Sequence, residues 1–226
     1  MAGLEKLESY KIKNVDYFNN VRTDIIRLIP VSEKNKILEI GAGGGFTLAK
    51  IKELNLASEV IGLDLLEIPG SFQNHPSIDR FIITNIENSE LDLPLDYFDI
   101  IIAADVLEHL YNPEEVVDKL LKFLNKDGIL IVSVPNIREI RNLYKIVFKG
   151  DFRYEDSGIM DRTHIKFFCK KNIVELLQQS GLKIKKISPS FKLLPGGKII
   201  KFLNFISLTL FEDFLAYQYL IVAKKK

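Results

Sequence analysis

One cysteine, Cys169, stands among 226 residues. That excludes an internal disulfide framework and any Cys-x-x-Cys pair, and it suits a reducing compartment. Histidine is scarce too, with only three: His75, His109 and His164. No charge sign dominates, since 31 Lys and Arg face 30 Asp and Glu for a net charge of +1. A general electrostatic pull toward nucleic acid is therefore not expected. No run approaches the ~20 uninterrupted apolar residues of a membrane-spanning helix. The opening MAGLEKLESYKIK is polar and charged, which predicts no secretory leader and a cytoplasmic location. Repeats and low-complexity linkers are missing as well. The expectation is one domain over 1–226, with an N-terminal helix and a substrate-side insertion at about 137–168. What is present is apolar: hydrophobic residues make up 47% of the chain, enough for a sizeable core.

Apolar runs alternate with helical patterns. Phe18, Val21, Ile25 and Leu28 share a face of a predicted helix over 16–29, which ends before Pro30. Strands are predicted at 36–40, 60–63, 80–84, 98–104, 129–134, 182–187 and 217–223. Helices are predicted at 46–54, at 112–124 with Asn112 as cap and Glu115 completing a capping box, at 137–148, and at 170–180 before Gly181. A polar loop fills 150–166. Near-continuous β-branched and Leu strands alternating with amphipathic helices imply a mostly parallel sheet covered on both faces. Ligands of such sheets bind beyond the strands' C-terminal ends.

The stretch ILEIGAGGGF, residues 37–46, sets a lone acid before a glycine cluster. Its pattern is acid-x-G-x-G-x-G, through Glu39, Gly41, Gly43 and Gly45, and Phe46 takes the place of the third glycine of a dinucleotide fingerprint. A carboxylate there opposes phosphate and suits a cationic group, which disfavours a dehydrogenase. Asp64 ends the second strand 23 positions (64 − 41) beyond Gly41, where a carboxylate can accept from both ribose hydroxyls. Asn85-Ile86-Glu87 follows the third strand, where an adenine edge would lie. Adenine, ribose and a cationic amino acid together describe S-adenosylmethionine.

These residues resemble the class I S-adenosylmethionine-dependent methyltransferases. ILEIGAGGG is similar to the first motif of that family, VIGLDL to the second, and TNIENSELDLPLDYFDII to the third. ADVLEHL resembles the segment after the fourth strand, and GILIVSVPN the fifth strand. The resemblance implies an α/β, Rossmann-like, doubly wound sheet of seven strands, mostly parallel with the last strand antiparallel. It implies S-adenosylmethionine as cofactor, held by Glu39, Gly41, Ala42, Gly43, Asp64, Leu65, Asn85 and Ile86, with Ala104 and Asp105 on the methionine side. Asn85 stands where the family often has Asp, and an amide oxygen can still accept from the adenine amino group.

GDFRYEDSGIMDRTHIKFFCKKN resembles a subgroup associated with sugar, O-antigen, polysaccharide or lipid biosynthesis. Tyr154, Gly158, Asp161, Thr163, His164, Phe167 and Phe168 match its pattern, and Cys169 replaces a helix-capping Thr. The expected acceptor is a hydroxyl on a small molecule or on a glycan or lipid precursor, for which a general base is useful. His109 is favoured as base or orienting group, while Asp161 and His164 form a candidate carboxylate–imidazole pair or a pin for the loop. His75 reads as surface. No metal site is expected. An alternative is a quinone-precursor O-methyltransferase, since ADVLEHL resembles those too. Another is a protein that binds the cofactor without turnover. An Asn/Asp-Pro-Pro-Tyr stretch for amino-group methylation is missing after the fourth strand. The cationic 138–149 stretch reads as a solvated face or a diphosphate contact. Finally, 196–211 is an apolar helical pattern with one polar stripe, through Lys198, Lys201, Asn204 and Ser207. It suits a lid over the pocket, a homodimer contact, or peripheral docking on a membrane.

Overall fold

Side chains on both faces of the central strands are apolar, as a sheet covered on both sides requires. The computed structural model describes residues 20–191 and 210–225. Strand β1 (Lys36–Ile40) sends Leu38 and Ile40 into one core cluster and Ile37 into the other. With β2 (Glu59–Asp64), β3 (Arg80–Ile83), β4 (Phe98–Ala104), β5 (Leu124–Pro135), β6 (Leu182–Ser190) and β7 (Gln218–Lys225) it forms one seven-stranded sheet. The order is β3-β2-β1-β4-β5-β7-β6. The pairings β1–β2, β1–β4, β2–β3 and β4–β5 are parallel, and β7 runs antiparallel to both its neighbours. This is the Rossmann-like arrangement expected from the sequence.

Helices α1 (Thr23–Ile26) and α2 (Phe46–Glu53) cover one face, where Ile25, Ile26, Leu48 and Ile51 enter the core. The other face takes α3 (Pro113–Phe123) and α5 (Lys170–Gln179). In α3 the buried residues Val116, Val117, Leu120 and Phe123 form one stripe at helical spacing. Each fully buried side chain of this kind stabilises the fold by about 1.5–3 kcal/mol. Helices α4 (Ile140–Lys149) and α6 (Glu212–Leu215) and the 3₁₀ turn Leu107–His109 complete the elements of the described residues.

Several local expectations need correction. Within the described residues the first predicted helix is only Thr23–Ile26. Asn112 occupies the cap position of α3, but no side-chain cap bond forms. Its backbone N–H and that of Tyr111 instead donate to Glu87 Oε1. The helix predicted from residue 137 begins at Ile140, because the Glu139 carboxylate accepts from the N–H groups of Arg141 and Asn142 and so becomes the cap. Strand β5 starts directly after α3. The apolar segment 196–211 lies outside the described residues except for Leu210 and Phe211.

Candidate active site

Strands β1 and β4 lie side by side at the centre of the sheet, and the chain leaves them toward opposite edges. This is the switch point at which a doubly wound sheet opens a crevice. A cavity of about 970 Å³ occupies it. Its floor is the turn after β1, where Gly41, Gly43 and Gly45 all have positive φ. A Cβ on Gly41 would lie 2.4 Å from Val106 Cγ2. The left-handed backbone adds about 1–2 kcal/mol for a residue with a side chain. Gly41→Ala is therefore expected to lower the thermal unfolding midpoint, and an unchanged melting curve would refute this account of the turn.

Glu39 lies under the turn, 3% exposed, and among the described residues its Oε2 has no hydrogen-bond partner. Burial, opposed by Arg22 and reinforced by Asp64, pushes its carboxyl up to about 8. Asp64 closes the turn from the end of β2: Oδ2 accepts from Gly43 N–H at 2.7 Å, and Oδ1 from Leu66 N–H at 3.1 Å. Leu65 lines the cavity beside it, as do Ala42, Asn85, Ile86, Ala104 and Asp105. Asn85 Oδ1 already accepts from Glu87 N–H at 3.0 Å, which fixes its own turn and leaves the second lone pair facing other partners.

Asp105 adopts a left-handed conformation, with φ of 56°. Four groups hold it there. Arg22 and Gln218 donate to its carboxylate, Ser133 Oγ donates at 2.9 Å, and its own N–H reaches the Ser133 carbonyl at 3.1 Å. Burial alone would lower the Arg22 pKa, but attraction to Asp105 and Asp24 more than offsets it. Sequence reasoning missed Arg22, Ser133 and Gln218. They come from three distant segments, and no local motif links them.

Part of the stretch 137–168 packs against the segment that follows β4. Ile165 and Lys166 N–H both donate to the Glu108 carbonyl. The Tyr217 hydroxyl approaches Gly158 so closely that a Cβ there would sit 3.1 Å from it. His109 and His164 are both buried, with ring centroids 4.7 Å apart. His109 Nδ1 lies 3.0 Å from the Thr163 carbonyl, and His164 Nδ1 lies 2.9 Å from that of Ile159. A carbonyl can only accept, so each Nδ1 carries the proton and Nε2 is the basic atom of each neutral ring. Asp161 Oδ1 accepts from both Thr163 N–H and Oγ1–H, at 2.9 and 2.7 Å, which fixes this turn of the loop. Only His109 of the three lines the cavity.

Glu108 was not singled out from the sequence. Both its carboxylate oxygens are buried without a hydrogen-bond partner among the described residues. Burial first, and then the charge of Asp105, hold its carboxyl well above the usual range. One ligand atom each from Glu108, His109 and His164 lie within 4.8 Å of one another. Such a set can share a proton, and its N and O donors also suit a divalent cation. Cys169 sits at the start of α5 without a cap bond, and burial pushes its thiol up, which leaves it a poor nucleophile. His75 is exposed and bonded to Ser77.

A methyltransferase-domain family model matches residues 15–187. The chain belongs to the methyltransferase domain family. S-adenosylmethionine is its cofactor. The chain is 25% identical over 183 residues to the mitochondrial ubiquinone biosynthesis O-methyltransferase of Bos taurus, covering 74% of this chain and 48% of the relative. It is 20% identical over 151 residues to the ubiquinone biosynthesis O-methyltransferase of Shewanella halifaxensis, covering 65% of this chain and 63% of that one. The chain thus spans about half the length of the mitochondrial relative. In structure it is similar to an S-adenosylmethionine-dependent methyltransferase from Archaeoglobus fulgidus, with a TM-score of 0.63 and 19% identity over 94% of this chain and 95% of that one. At that identity the likeness speaks for the fold alone.

The residues present fit the cofactor. Glu39 has an unpartnered buried oxygen that would suit an ammonium, the glycine turn has no side chains to fill the cavity floor, and Asp64 lines the cavity with a carboxylate that would accept from ribose hydroxyls. A pH dependence follows. At neutral pH the raised Glu39 carboxyl is largely protonated in the free protein, whereas a cationic ammonium is best met by the carboxylate. Binding is then expected to release a proton, and affinity should rise with pH up to about 8 while the ammonium stays charged. Calorimetry in two buffers of different ionisation enthalpy reads that proton. Glu39→Gln should abolish the release, and identical heats in both buffers for the natural protein would contradict the assignment.

Proposed function

We propose that this domain transfers a methyl group from S-adenosylmethionine to a hydroxyl oxygen of a small acceptor, with His109 taking the hydroxyl proton. When bound, the cofactor supplies an electrophilic methyl group on a sulfonium. Glu39, the glycine turn and Asp64 hold and orient it, and the insertion helps to exclude water. The supporting observation is the placement of His109, which lines the same cavity as Glu39 and Asp64 with Nδ1 committed to the Thr163 carbonyl. That leaves Nε2 as the basic atom. His164 lies next to it and can take the proton onward, while Asp161 holds Thr163 and so the ring.

The acceptor side combines polar groups, Asn142, Glu155, Ser157 and Tyr217, with the apolar pair Ile159 and Met160. This mixture suits a hydroxylated ring, whether of a glycan or lipid precursor or of a phenol such as a quinone precursor. The names of the relatives favour the phenol, and the match of 150–172 to the polysaccharide-type pattern favours the sugar. The cations of 138–149 do not favour a diphosphate, because Arg138, Arg141 and Lys145 each already pair with a carboxylate.

No helix among the described residues is long and apolar enough to cross a membrane. A cytoplasmic location, and a lid, dimer or membrane role for 196–211, are further parts of this reading. Solution mass and vesicle sedimentation separate the roles of 196–211. The decisive experiment incubates the protein with methyl-labelled cofactor and separate panels of sugar, lipid-linked and phenolic acceptors, followed by mass spectrometry. A methyl ether on any of them supports the proposal. Tight cofactor binding with no labelled product from any panel would favour the non-catalytic alternative.

A further inference from the structure

Helix α4 presents two different faces. Arg141, Asn142 and Lys145 line the cavity. On the adjoining face Ile140, Tyr144, Val147 and Phe148 stand at i, i+4, i+7 and i+8, within an arc of about 100°. An apolar face of that kind normally packs on a core, yet among the described residues nothing covers it. Val147 is 67% exposed and Phe148 77%. Beyond the helix Phe152, Tyr154 and Ile165 are also exposed, and the rings of Phe152 and Tyr154 both lie against Phe167. The Lys145–Glu155 ion pair ties this second group to α4. Near the start of α4, Arg138 pairs with Asp213 and stacks on Phe214, which brings in the segment carrying exposed Leu210 and Phe211.

The charges around this surface have a sign. Asp151, Glu155 and Asp156 are matched by Arg153, Lys145 and Arg162. Lys149 and Lys166 add positive charge beyond those pairs, and both are exposed. Lys149 Nζ lies 5.6 Å from the centre of the Tyr144 ring, an ammonium beside an amphipathic aromatic group. Apolar and aromatic side chains flanked by surplus lysines match the chemistry of an anionic lipid interface, where rings sit at headgroup depth and lysines meet the phosphates. A protein partner would need a complementary acidic rim, whereas anionic lipid supplies that complement everywhere.

We propose that this outer face of α4, with Phe152 and Tyr154, docks the domain on an anionic bilayer and so holds the mouth of the acceptor cavity beside the membrane surface. Because the cavity-lining groups are on the neighbouring face of the same helix, an acceptor anchored in the bilayer could present its polar head without leaving it. The docking does not depend on which hydroxyl is methylated.

Sedimentation with vesicles tests it, comparing phosphatidylcholine alone with an equimolar mixture of phosphatidylcholine and phosphatidylglycerol. The full chain is expected to pellet with the mixed vesicles, to pellet less with neutral ones, and to be released by salt. Val147→Ser combined with Phe148→Ser should weaken partitioning by about tenfold or more. Both side chains are mostly exposed and neither lines the cavity, so cofactor affinity and melting temperature should be unchanged. Lys149→Glu should weaken binding to the mixed vesicles only. The proposal falls if the natural chain stays in the supernatant with both vesicles, or if the double substitution partitions as the natural chain does. It also falls if the chain is a dimer that this substitution dissociates and that ignores vesicles, since a second copy then covers the face. Cofactor titration of the same samples keeps the two readings apart. Pelleting without cofactor binding overturns the methyl-transfer reading and leaves the docking intact.

Discussion

His109→Gln is expected to lower turnover by about 10²–10⁴-fold, the usual contribution of a general base. Cofactor affinity should change little. The glutamine amide nitrogen overlies Nε2, so the companion His109→Asn, whose amide nitrogen overlies Nδ1, can keep the bond to the Thr163 carbonyl and leave the loop tethered. What both lack is a basic nitrogen. A fall in kcat with KM and melting temperature unchanged separates loss of a base from loss of a strut. A variant that retains full turnover would remove His109 from the chemistry. Chelator treatment addresses the other use of the cluster with Glu108 and His164. Activity that survives EDTA fits proton transfer. Activity abolished by EDTA and restored by a divalent cation would recast these residues as metal ligands.

Asp64→Ala should give the largest loss of cofactor affinity. Each charge-assisted hydrogen bond to ribose is worth on the order of 1.5–3 kcal/mol, or roughly a tenfold to hundredfold change in Kd. The same carboxylate receives the Gly43 and Leu66 N–H groups, so alanine also loosens the glycine turn. Asp64→Asn keeps an acceptor and should lose less. Calorimetric titration of the folded variants checks both, and an alanine variant that binds normally would refute the ribose assignment.

The cofactor half of the site was legible because its parts are local. Glu39, the glycines, Asp64 and Asn85 lie at or just beyond strand ends, and near-continuous apolar runs that stop at turn residues mark where strands end. The acceptor half was only partly legible. His109 and His164 are 55 residues apart (164 − 109) and meet because the insertion folds back onto the Glu108 carbonyl, a long-range contact without a sequence period. Glu108 itself lies among apolar neighbours in ADVLEHL and gives no local sign that its carboxylate points inward. Glu115 did not complete the capping box for a similar reason. Its donor, the Asn112 N–H, is taken by Glu87 from another segment.

The position of β7 bears on how the chain reaches this state. Gln218–Lys225 lies between β5 and β6 and bonds to both, so a strand translated after all the others fills an interior slot of the sheet. Until it emerges from the ribosome, β5 has one unpaired edge and β6 has no neighbour at all. Loop closure across the 82 residues separating Pro135 from Gln218 (218 − 135 − 1) makes the final insertion a late, long-range step. During that interval the open, apolar β5 edge, with Ile129, Ile131 and Val134, can template pairing with another nascent chain. Aggregation during rapid expression, relieved by slower synthesis at low temperature, is the behaviour this topology entails.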